Sequence, residues 1–217
     1  MLILENDLQS IAAESYRTLR TNIQYSSFDN PVKSIVMTSS EPGEGKSTTS
    51  GNLALSFAQD GKKVILIDCD LRKPVVHKNF GISNSIGLSE FLIGKAEFSK
   101  TIYKHESGLH VLTSGKTPPN PAEMLASRAM EHLLDQLEEK YDYIILDTPP
   151  VNAVTDSKIL STKVDCTILV VKYGYTKKDV VVEAIKGLRA VNANVIGIVF
   201  NGEENQKGKY YHYYKRD

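Results

Sequence analysis

Short apolar runs alternate with longer segments of helical periodicity along most of the chain. Several runs consist of consecutive Val, Ile and Leu residues, which is typical of parallel strands covered by helices on both faces. The predicted strands are Ser34–Thr38, Lys63–Ile67, Leu109–Thr113, Tyr143–Leu146, Cys166–Val171 and Val195–Phe200. The predicted helices are Ser10–Tyr25, Lys46–Gln59, Ser127–Glu139 and Lys177–Ala190. This alternation predicts an α/β fold with a doubly wound, mostly parallel sheet in three layers.

The elements divide the chain into three segments. Residues 1–33 are predicted to form an N-terminal helical arm, which Pro31 separates from the first strand. Residues 34–202 carry the alternating pattern and are predicted to form one domain. Residues 203–217 are polar and have little apolar surface to bury, so we expect a flexible tail. A chain of 217 residues with 41% apolar content is large enough to enclose a substantial core.

The charge balance argues against several classes of partner. Lys and Arg number 26 and so do Asp and Glu, which leaves no broad cationic field for nucleic acid or anionic lipid. No apolar run approaches the ~20 residues of a membrane span, and the first residues lack the basic and apolar regions of a signal peptide. Cys69 and Cys166 belong to no CxxC or Cys/His cluster, so we expect buried thiols in a protein of the reducing cytoplasm.

A candidate phosphate-binding loop follows the first predicted strand. Ser40–Thr48 reads S-E-P-G-E-G-K-S-T and runs directly into the second predicted helix. This strand, loop and helix context is what the Walker A pattern G-x-x-x-x-G-K-[ST] requires. Ser40 stands where the pattern has its first glycine, so the match departs at one position. The loop indicates a P-loop NTPase fold that binds a nucleoside triphosphate.

The chemistry of the loop explains its residue types. Gly43 and Gly45 allow backbone N–H groups to close around phosphate oxygens at a helix N-terminus. Lys46 supplies a mobile cation for the β and γ phosphates, and the Ser47 hydroxyl is a ligand for Mg²⁺. The predicted nucleotide-binding residues of the loop are Gly43, Glu44, Gly45, Lys46, Ser47 and Thr48.

Two further strands end in carboxylates. Asp68 and Asp70 follow the second predicted strand, and Asp147 follows the fourth. Ligands of open α/β sheets bind outside the carboxyl ends of the strands. Asp147 corresponds to a Walker B carboxylate, which holds a Mg²⁺-bound water. Of Asp68 and Asp70, one would serve the metal and the other would accept a proton from an attacking hydroxyl.

The sequence leaves the relative orientation of the Asp68 and Asp70 side chains open. Asp68 and Asp70 are two residues apart, so they face one side if the strand continues and diverge if the chain turns there, as we expect. The alternative to a functional role is a capped strand end with solvated acids. The predicted metal-binding residues are Ser47, Asp70 and Asp147.

Four of the 11 tyrosines lie close together near the C-terminus, at positions 210, 211, 213 and 214. One interpretation is an aromatic segment that docks on the domain or on a partner. The other is a phosphoacceptor cluster, Tyr210, Tyr211, Tyr213 and Tyr214, in which each phosphate adds ~1.5–2 negative charges. Composition alone favours neither.

The first predicted helix combines an apolar stripe with a charged motif. Glu14, Arg17 and Arg20 lie beside the stripe, and Glu14 with Arg17 has the i,i+3 spacing of a surface pair worth a few tenths of a kcal/mol. The stripe itself consists of Ala12, Tyr16, Leu19 and Ile23.

Taken together, these motifs resemble those of the bacterial tyrosine kinases that accompany capsule and exopolysaccharide export. The resemblance runs from the first helix to the last tyrosine. The family has a Walker A, a Walker A′ of three apolar residues followed by D-x-D-x-R, a Walker B ending in D-T-P-P, an E-x-x-R-x-x-R helix and a C-terminal tyrosine cluster. The matching segments here are Ser40–Thr48, Ile65–Arg72, Ile144–Pro150, Glu14–Arg20 and Tyr210–Tyr214, and Ser114–Leu125 also has the look of the family.

The resemblance implies an ATP- and Mg²⁺-dependent protein-tyrosine kinase. Lys46 would hold the ATP phosphates, and Asp147 and Asp70 would support the metal. Asp68 is the candidate base for the incoming tyrosine hydroxyl, although Asp68 and Asp70 could exchange roles. Asn201 stands where related P-loop proteins contact adenine, and its alternative is a turn residue before Gly202.

The resemblance also implies partners. Glu14, Arg17 and Arg20 would join subunits into a ring in which each tail faces a neighbour's active site. Arg72 would stabilise phosphate charge or form a subunit contact. A separate membrane-bound activator of the chain-length-determinant type would recruit the kinase to the inner face of the membrane. A cognate tyrosine phosphatase and protein tyrosine substrates complete the expected set, and nucleic acid is not among the expected partners.

Two alternatives from other classes are open. A dimerising ATPase of the partition and septum-placement type shares the fold and the acidic strand ends. Its signature lysine, five residues before the loop lysine, is Glu41 here, and it lacks the tyrosine tail. A non-enzymatic adaptor would bind ATP and use the tail as a docking peptide, and loss of Asp68 would not affect any turnover.

Overall fold

The computed structural model describes residues 2–26 and 31–202. The strands are β1 (Ser34–Ser39), β2 (Val64–Asp68), β3 (Ile102–Lys104), β4 (His110–Leu112), β5 (Tyr143–Asp147), β6 (Cys166–Lys172) and β7 (Val195–Asn201). The helices are α1 (Ile3–Asn6), α2 (Ile11–Tyr25), α3 (Lys46–Gln59), α4 (Val76–Asn79), α5 (Leu88–Leu92), α6 (Phe98–Thr101), α7 (Pro121–Ala126), α8 (Arg128–Glu138), α9 (Asp156–Ser161) and α10 (Lys178–Arg189).

The strands of the described residues form one seven-stranded sheet in the order β3-β4-β2-β5-β1-β6-β7. Neighbouring strands run parallel, except that β3 is antiparallel to β4 at one edge. The predicted doubly wound, mostly parallel fold is therefore confirmed. The carboxyl ends of β1, β2 and β5 meet at one edge of the sheet, with Asp68 directly opposite Asp147 in the register of β2 and β5.

Helix α3 lies at the centre of one covering layer, and nearly all of its residues are buried. It packs between the sheet and the first two helices. The Leu4 N–H donates to Asn52 Oδ1 (3.0 Å), and Gln59 Nε2 donates to the Leu4 carbonyl (3.0 Å), so α1 is fixed along α3. The predicted helical arm is thus folded against the domain within the described residues.

Helix α8 covers the opposite face of the sheet. Its buried residues recur at the 3- and 4-residue spacing of an amphipathic helix, and they are Met130, Leu133, Leu134 and Leu137. Ser127, which the sequence placed inside this helix, is instead its N-cap, because its hydroxyl accepts from the Met130 N–H (3.3 Å).

The sequence missed several short elements and misplaced some ends. The second strand includes Asp68 rather than ending at Ile67, and the third predicted strand shortens to His110–Leu112. The missed elements are β3, α1, α4, α5, α6, α7 and α9, each of three to six residues. Elements this short show too little of a helical or strand period to be recognised.

The expectation of buried thiols is confirmed, because Cys69 and Cys166 are both free and fully buried. Burial raises the pKa of the Cys166 thiol to about 12. The expectations for the tail, including its four tyrosines, lie outside the described residues.

Candidate active site

The P-loop brings Lys46 against two carboxylates at the carboxyl edge of the sheet. Lys46 begins α3, and its Nζ lies 3.2 Å from Asp147 Oδ2 and 3.4 Å from Asp70 Oδ2. The ammonium group is largely buried, which lowers its pKa, but the charges of Asp147, Asp70 and Asp68 outweigh burial and raise the pKa above its ordinary value. Lys46 is therefore a fixed positive charge at this edge.

Asp147 is held by side chains of α3. It ends β5 and is fully buried. The Ser47 hydroxyl donates to Oδ2 (2.6 Å), and the Ser50 hydroxyl donates to Oδ1 (2.9 Å). Ser47 and Ser50 stand three residues apart on the face of α3 that meets β5, so the helix holds the carboxylate from two positions.

Asp68 and Asp70 diverge, as expected for a turn after the strand. Both oxygens of Asp68 accept backbone N–H groups, Oδ1 from Asp70 (3.1 Å) and Oδ2 from Val75 (3.2 Å) and Val76 (3.0 Å). Asp70 Oδ1 accepts from the Lys73 N–H (2.9 Å), but its Oδ2 turns toward Lys46. The Asp68 carboxyl therefore shapes the Walker A′ loop, while Asp70 faces the cation.

The two acids also differ in burial. Asp68 is fully buried, and this burial, followed by the charge of Asp147, raises the pKa of Asp68 to about 8 against the opposing effects of Lys46 and the Val76 N–H. Asp70 is 6% exposed and forms part of a cleft wall.

The backbone of the P-loop has the conformation that glycine permits. Gly45 is the N-cap of α3 with a φ of +84°, a left-handed conformation that costs a residue with a Cβ about 1–2 kcal/mol. A Cβ at this position would also lie 1.9 Å from Asn201 Nδ2. Asn201 donates from that nitrogen to the Glu44 carbonyl (3.0 Å). The end of β7 is thus hydrogen-bonded to the P-loop and packs against Gly45.

The Glu44 side chain links the two ends of the P-loop. The Walker A pattern allows any residue at this position, so it did not predict this role. The buried carboxylate accepts from the Ser40 hydroxyl (2.8 Å), the Glu41 N–H (2.7 Å) and the Thr176 hydroxyl. Ser40, the departure from the Walker A pattern, therefore contributes a hydrogen bond inside the loop.

A cleft of about 450 Å³ opens beside this cluster. Its walls come from the P-loop, the Walker A′ loop and the segment after β5. They include Lys46, Ser47, Thr48, Asp70, Arg72, Pro149 and Ala153. Asn201 borders a different cavity of about 470 Å³ between α2 and β7, so the structure does not bring it into the same cleft.

The charged motif of α2 is engaged within the chain. Arg17 Nη1 lies 2.9 Å from Glu14 Oε2, and its Nη2 donates to the Leu8 carbonyl (2.7 Å). Arg20 donates to the Ser56 carbonyl on α3 (2.8 Å) and lies 3.3 Å from Asp60. Glu14 and Arg17 form the more exposed pair, whereas Arg20 helps to pack α2 on α3.

Two negative findings apply to residues 2–26 and 31–202. None of the helices there is long and apolar enough to cross a bilayer. The same residues contain no group of three or more His, Cys, Asp or Glu side chains able to hold a metal ion.

Comparison with known proteins assigns the chain to a family. The model of the AAA domain matches residues 32–196. Tyrosine-protein kinase YwqD of Bacillus subtilis is 44% identical over 98% of this chain and 90% of its own length. The putative tyrosine-protein kinase CapB of Staphylococcus aureus is 37% identical over 100% of this chain and 96% of its own length. The chain belongs to the bacterial protein-tyrosine kinases. The kinase is thus related along its whole length, and not only in the P-loop.

A solved structure supports the same assignment. The kinase domain of Escherichia coli tyrosine kinase ETK superposes with a TM-score of 0.91 at 33% identity, covering 97% of this kinase and 83% of that chain. A relative from Klebsiella pneumoniae, named a putative tyrosine-protein kinase in cps region, is 34% identical over 93% of the kinase, which spans 28% of that protein.

More distant structures share the fold alone. A Mycobacterium smegmatis cobyrinic acid a,c-diamide synthase with a bound ATP analogue and magnesium has a TM-score of 0.64 at 18% identity. The cell division ATPase MinD of Pyrococcus furiosus has a TM-score of 0.66 at 21% identity. The kinase therefore shares its fold with this cell division ATPase, while the sequence relatives described above are named tyrosine kinases.

The structure brings together most of the predicted site of the kinase. Lys46, Ser47, Asp70 and Asp147 converge, whereas Asp68 and Asn201 are directed at backbone groups. Sequence reasoning missed Ser50, although its spacing from Ser47 on α3 was a usable indication. It also missed Asp156, a single acid after Walker B with no motif of its own.

Proposed function

We propose that this protein-tyrosine kinase uses Mg²⁺-ATP to phosphorylate its own C-terminal tyrosines, Tyr210, Tyr211, Tyr213 and Tyr214, in neighbouring subunits, and that this controls capsular or exopolysaccharide synthesis and export. The observation that carries the proposal is the packing of Lys46 between Asp70 and Asp147 at the mouth of the P-loop cleft. A cation at a helix N-terminus, with carboxylates beside it, is the arrangement that phosphoryl transfer requires.

The donors of this cluster fit Mg²⁺. The Ser47 hydroxyl and the carboxylates of Asp147 and Asp70 are hard oxygen donors, the type that Mg²⁺ prefers. Few protein ligands are needed, because Mg²⁺ usually keeps several waters and phosphate oxygens. We propose that Ser47 and Asp147 hold the ion, with Asp70 next to it. When bound, it would neutralise charge on the β and γ phosphates.

The chain's own groups then have distinct tasks. Lys46 and the loop N–H groups hold the γ-phosphate while the phenolic oxygen forms a bond to its phosphorus. The bond to the β–γ bridging oxygen breaks, and its electron pair leaves with ADP. The phenolic proton passes to a carboxylate. We propose Asp70 for this role, because it lines the cleft, whereas Asp68 is fully buried and is not among the cleft residues.

The proposed partners follow from the family. Glu14 and Arg17 are more exposed than Arg20 in the α2 motif and are suited to contact a neighbouring subunit in a ring. We further propose that a separate membrane-bound activator of the chain-length-determinant type docks on the domain and brings it to the inner face of the membrane. A tyrosine phosphatase would reverse the modification, and other protein tyrosines would be further substrates.

The tail is tested by replacing its four tyrosines with Phe. Autophosphorylation should fall to background, while the affinity for ADP stays unchanged because the P-loop cluster is untouched. Phosphate incorporation and binding of a fluorescent ADP analogue measure the two properties. The control is Tyr103→Phe, at an exposed tyrosine on β3. Undiminished phosphotyrosine in the four-Phe variant would show that the acceptors lie elsewhere.

A further inference from the structure

An ion pair with one fully buried member joins the Walker A′ loop to the segment after Walker B. Arg72 donates from Nε to Asp156 Oδ2 (2.8 Å) and from Nη2 to Asp156 Oδ1 (3.0 Å). Asp156 lies in the first turn of α9 and is fully buried, whereas the Arg72 side chain is 39% exposed. The pair therefore has one inaccessible member and one that reaches the surface.

The two parallel hydrogen bonds fix the guanidinium in orientation as well as in position. A fork of two N–H donors on one carboxylate holds the plane of the group, which a single contact does not. Since the fork uses Nε and Nη2, the Nη1 donors remain on the opposite side. Arg72 itself lines the P-loop cleft together with Lys46 and Asp70. Arg72 is therefore a cleft residue whose Nη1 donors are not used by the fork with Asp156.

Asp156 is poorly explained as a stabilising residue alone. A fully buried carboxylate is costly to desolvate, and a buried ion pair often adds little net stability compared with apolar side chains. Its effect on Arg72 is more specific. Lys46 is already held between Asp70 and Asp147, so it faces two carboxylates, while Arg72 has one carboxylate at hydrogen-bond distance among the residues described. Arg72 can therefore direct positive charge at an additional anionic group.

We propose that Asp156 is a positioning residue that holds Arg72 so that its Nη1 donors contact the phosphoryl group during transfer to the tyrosine oxygen. The inference rests on the proposed function, since it requires a transferred phosphoryl group in the cleft. As the β–γ bond breaks, negative charge on the equatorial and leaving oxygens is stabilised by pre-oriented donors, without a cost for orienting them during the reaction. Asp156 acts only through Arg72 and touches no reacting atom.

The test compares Asp156→Asn, Arg72→Gln, Arg72→Lys and the double variant Asp156→Asn/Arg72→Gln in the full chain. Tyrosine phosphorylation gives kcat and KM for Mg²⁺-ATP, a fluorescent ADP analogue gives Kd, and thermal unfolding gives Tm. Asp179→Asn is the control, because Asp179 is also in the first turn of a helix but is exposed.

We expect Asp156→Asn and Arg72→Gln each to lower kcat by about 100-fold, the lower end of the range for losing one pre-oriented donor. The Kd for the ADP analogue should stay within about threefold, because the donors act mainly on the group in transfer. Arg72→Lys should also lose kcat, since an ammonium cannot form the fork. The double variant should be no slower than Arg72→Gln, as expected if Asp156 acts through Arg72.

Stability is read separately from activity. Arg72→Gln leaves the Asp156 carboxylate buried without its partner and should lower Tm, and the double variant should recover it. If the double variant recovers Tm but not kcat, the loss of activity is not caused by lost stability.

A kcat for Asp156→Asn within twofold of wild type, or losses that multiply in the double variant, would overturn the inference. A change of subunit number in Arg72→Gln with kcat per intact oligomer unchanged would do the same, by making Arg72 an interface residue. Wild-type protein that hydrolyses ATP without forming phosphotyrosine would instead overturn the proposed function.

Discussion

Lys46 shows how the charge at the site depends on its neighbours. Its ammonium group is largely buried, yet the adjacent carboxylates keep it protonated, so it is ready to bind phosphate. Loss of a hydrogen bond to a charged group costs about 1.5–3 kcal/mol, which corresponds to about 10- to 100-fold in affinity.

Lys46→Met should therefore weaken Mg²⁺-ADP binding by about that factor and abolish tyrosine phosphorylation. Titration of a fluorescent ADP analogue measures the first effect. Lys62→Met, at an exposed lysine in the same region of the chain, should change neither property. If Lys46→Met bound nucleotide as tightly as the control, the assignment of the P-loop cation would be wrong.

The site residues that could be predicted from the sequence are those that belong to a known motif. Lys46, Ser47 and Asp147 belong to Walker patterns, and the structure places them within hydrogen-bond distance of one another. Asp156 could not be found this way, because its importance comes from a contact with Arg72, 84 positions away in the sequence. The division of labour between Asp68 and Asp70 likewise depends on the turn after β2.

At the scale of elements, glycines on either side of α3 differ in why they are needed. Gly45 and Gly61 both have positive φ angles, +84° and +78°. A Cβ at Gly45 would also collide with Asn201, whereas a Cβ at Gly61 would have no atom within 4 Å. The two positions therefore separate backbone strain from steric clash.

Gly45→Ala should lower both Tm and nucleotide affinity, because the Asn201 side chain must move away and lose its hydrogen bond to the Glu44 carbonyl of the P-loop. Gly61→Ala should lose only the stability that corresponds to its left-handed backbone, about 1–2 kcal/mol, and bind nucleotide normally. Chemical denaturation and ADP titration distinguish the two variants. Equal behaviour of the two would mean that the contact between Asn201 and the P-loop has no functional weight.

Element prediction succeeded where a segment was long enough to show its period. Helix α8 and strand β6 each display their apolar pattern over at least seven residues, and both were located to within one or two positions. The four-residue α1 shows no such pattern, and its position depends on Asn52 and Gln59 of α3. Contacts of this kind are tertiary and leave no local trace in the sequence.

At the scale of the whole molecule, sheet order creates the site. Strand β5 lies between β1 and β2, so Asp147 comes next to both the P-loop and Asp68. Local patterns predict parallel strands but not which strands are neighbours, so the position of β5 between β1 and β2 comes from the structure. The fold alone does not separate this kinase from a cell division ATPase, because MinD shares the fold.

The proposed ring is best tested at Arg17. Arg17 contacts Glu14 and the Leu8 carbonyl, both near it in sequence, whereas Arg20 contacts α3, so reversal of Arg20 would also disturb the packing of α2 on α3. Arg17→Glu should reduce the oligomer mass in multi-angle light scattering without a large change in Tm. Arg128→Glu, at an exposed position in the first turn of α8, should leave the mass unchanged. An unaltered mass in Arg17→Glu would exclude the α2 motif from the interface.

The central claim is phosphoryl transfer from ATP to tyrosine, and the most direct test is to locate the phosphate. The purified chain is incubated with Mg²⁺-ATP, with and without fused cytoplasmic segments of candidate activators, and the modified residues are mapped by mass spectrometry. We predict phosphate on Tyr210, Tyr211, Tyr213 or Tyr214 that disappears in Lys46→Met. Release of ADP without phosphotyrosine under both conditions would contradict the claim and favour a partition-type ATPase.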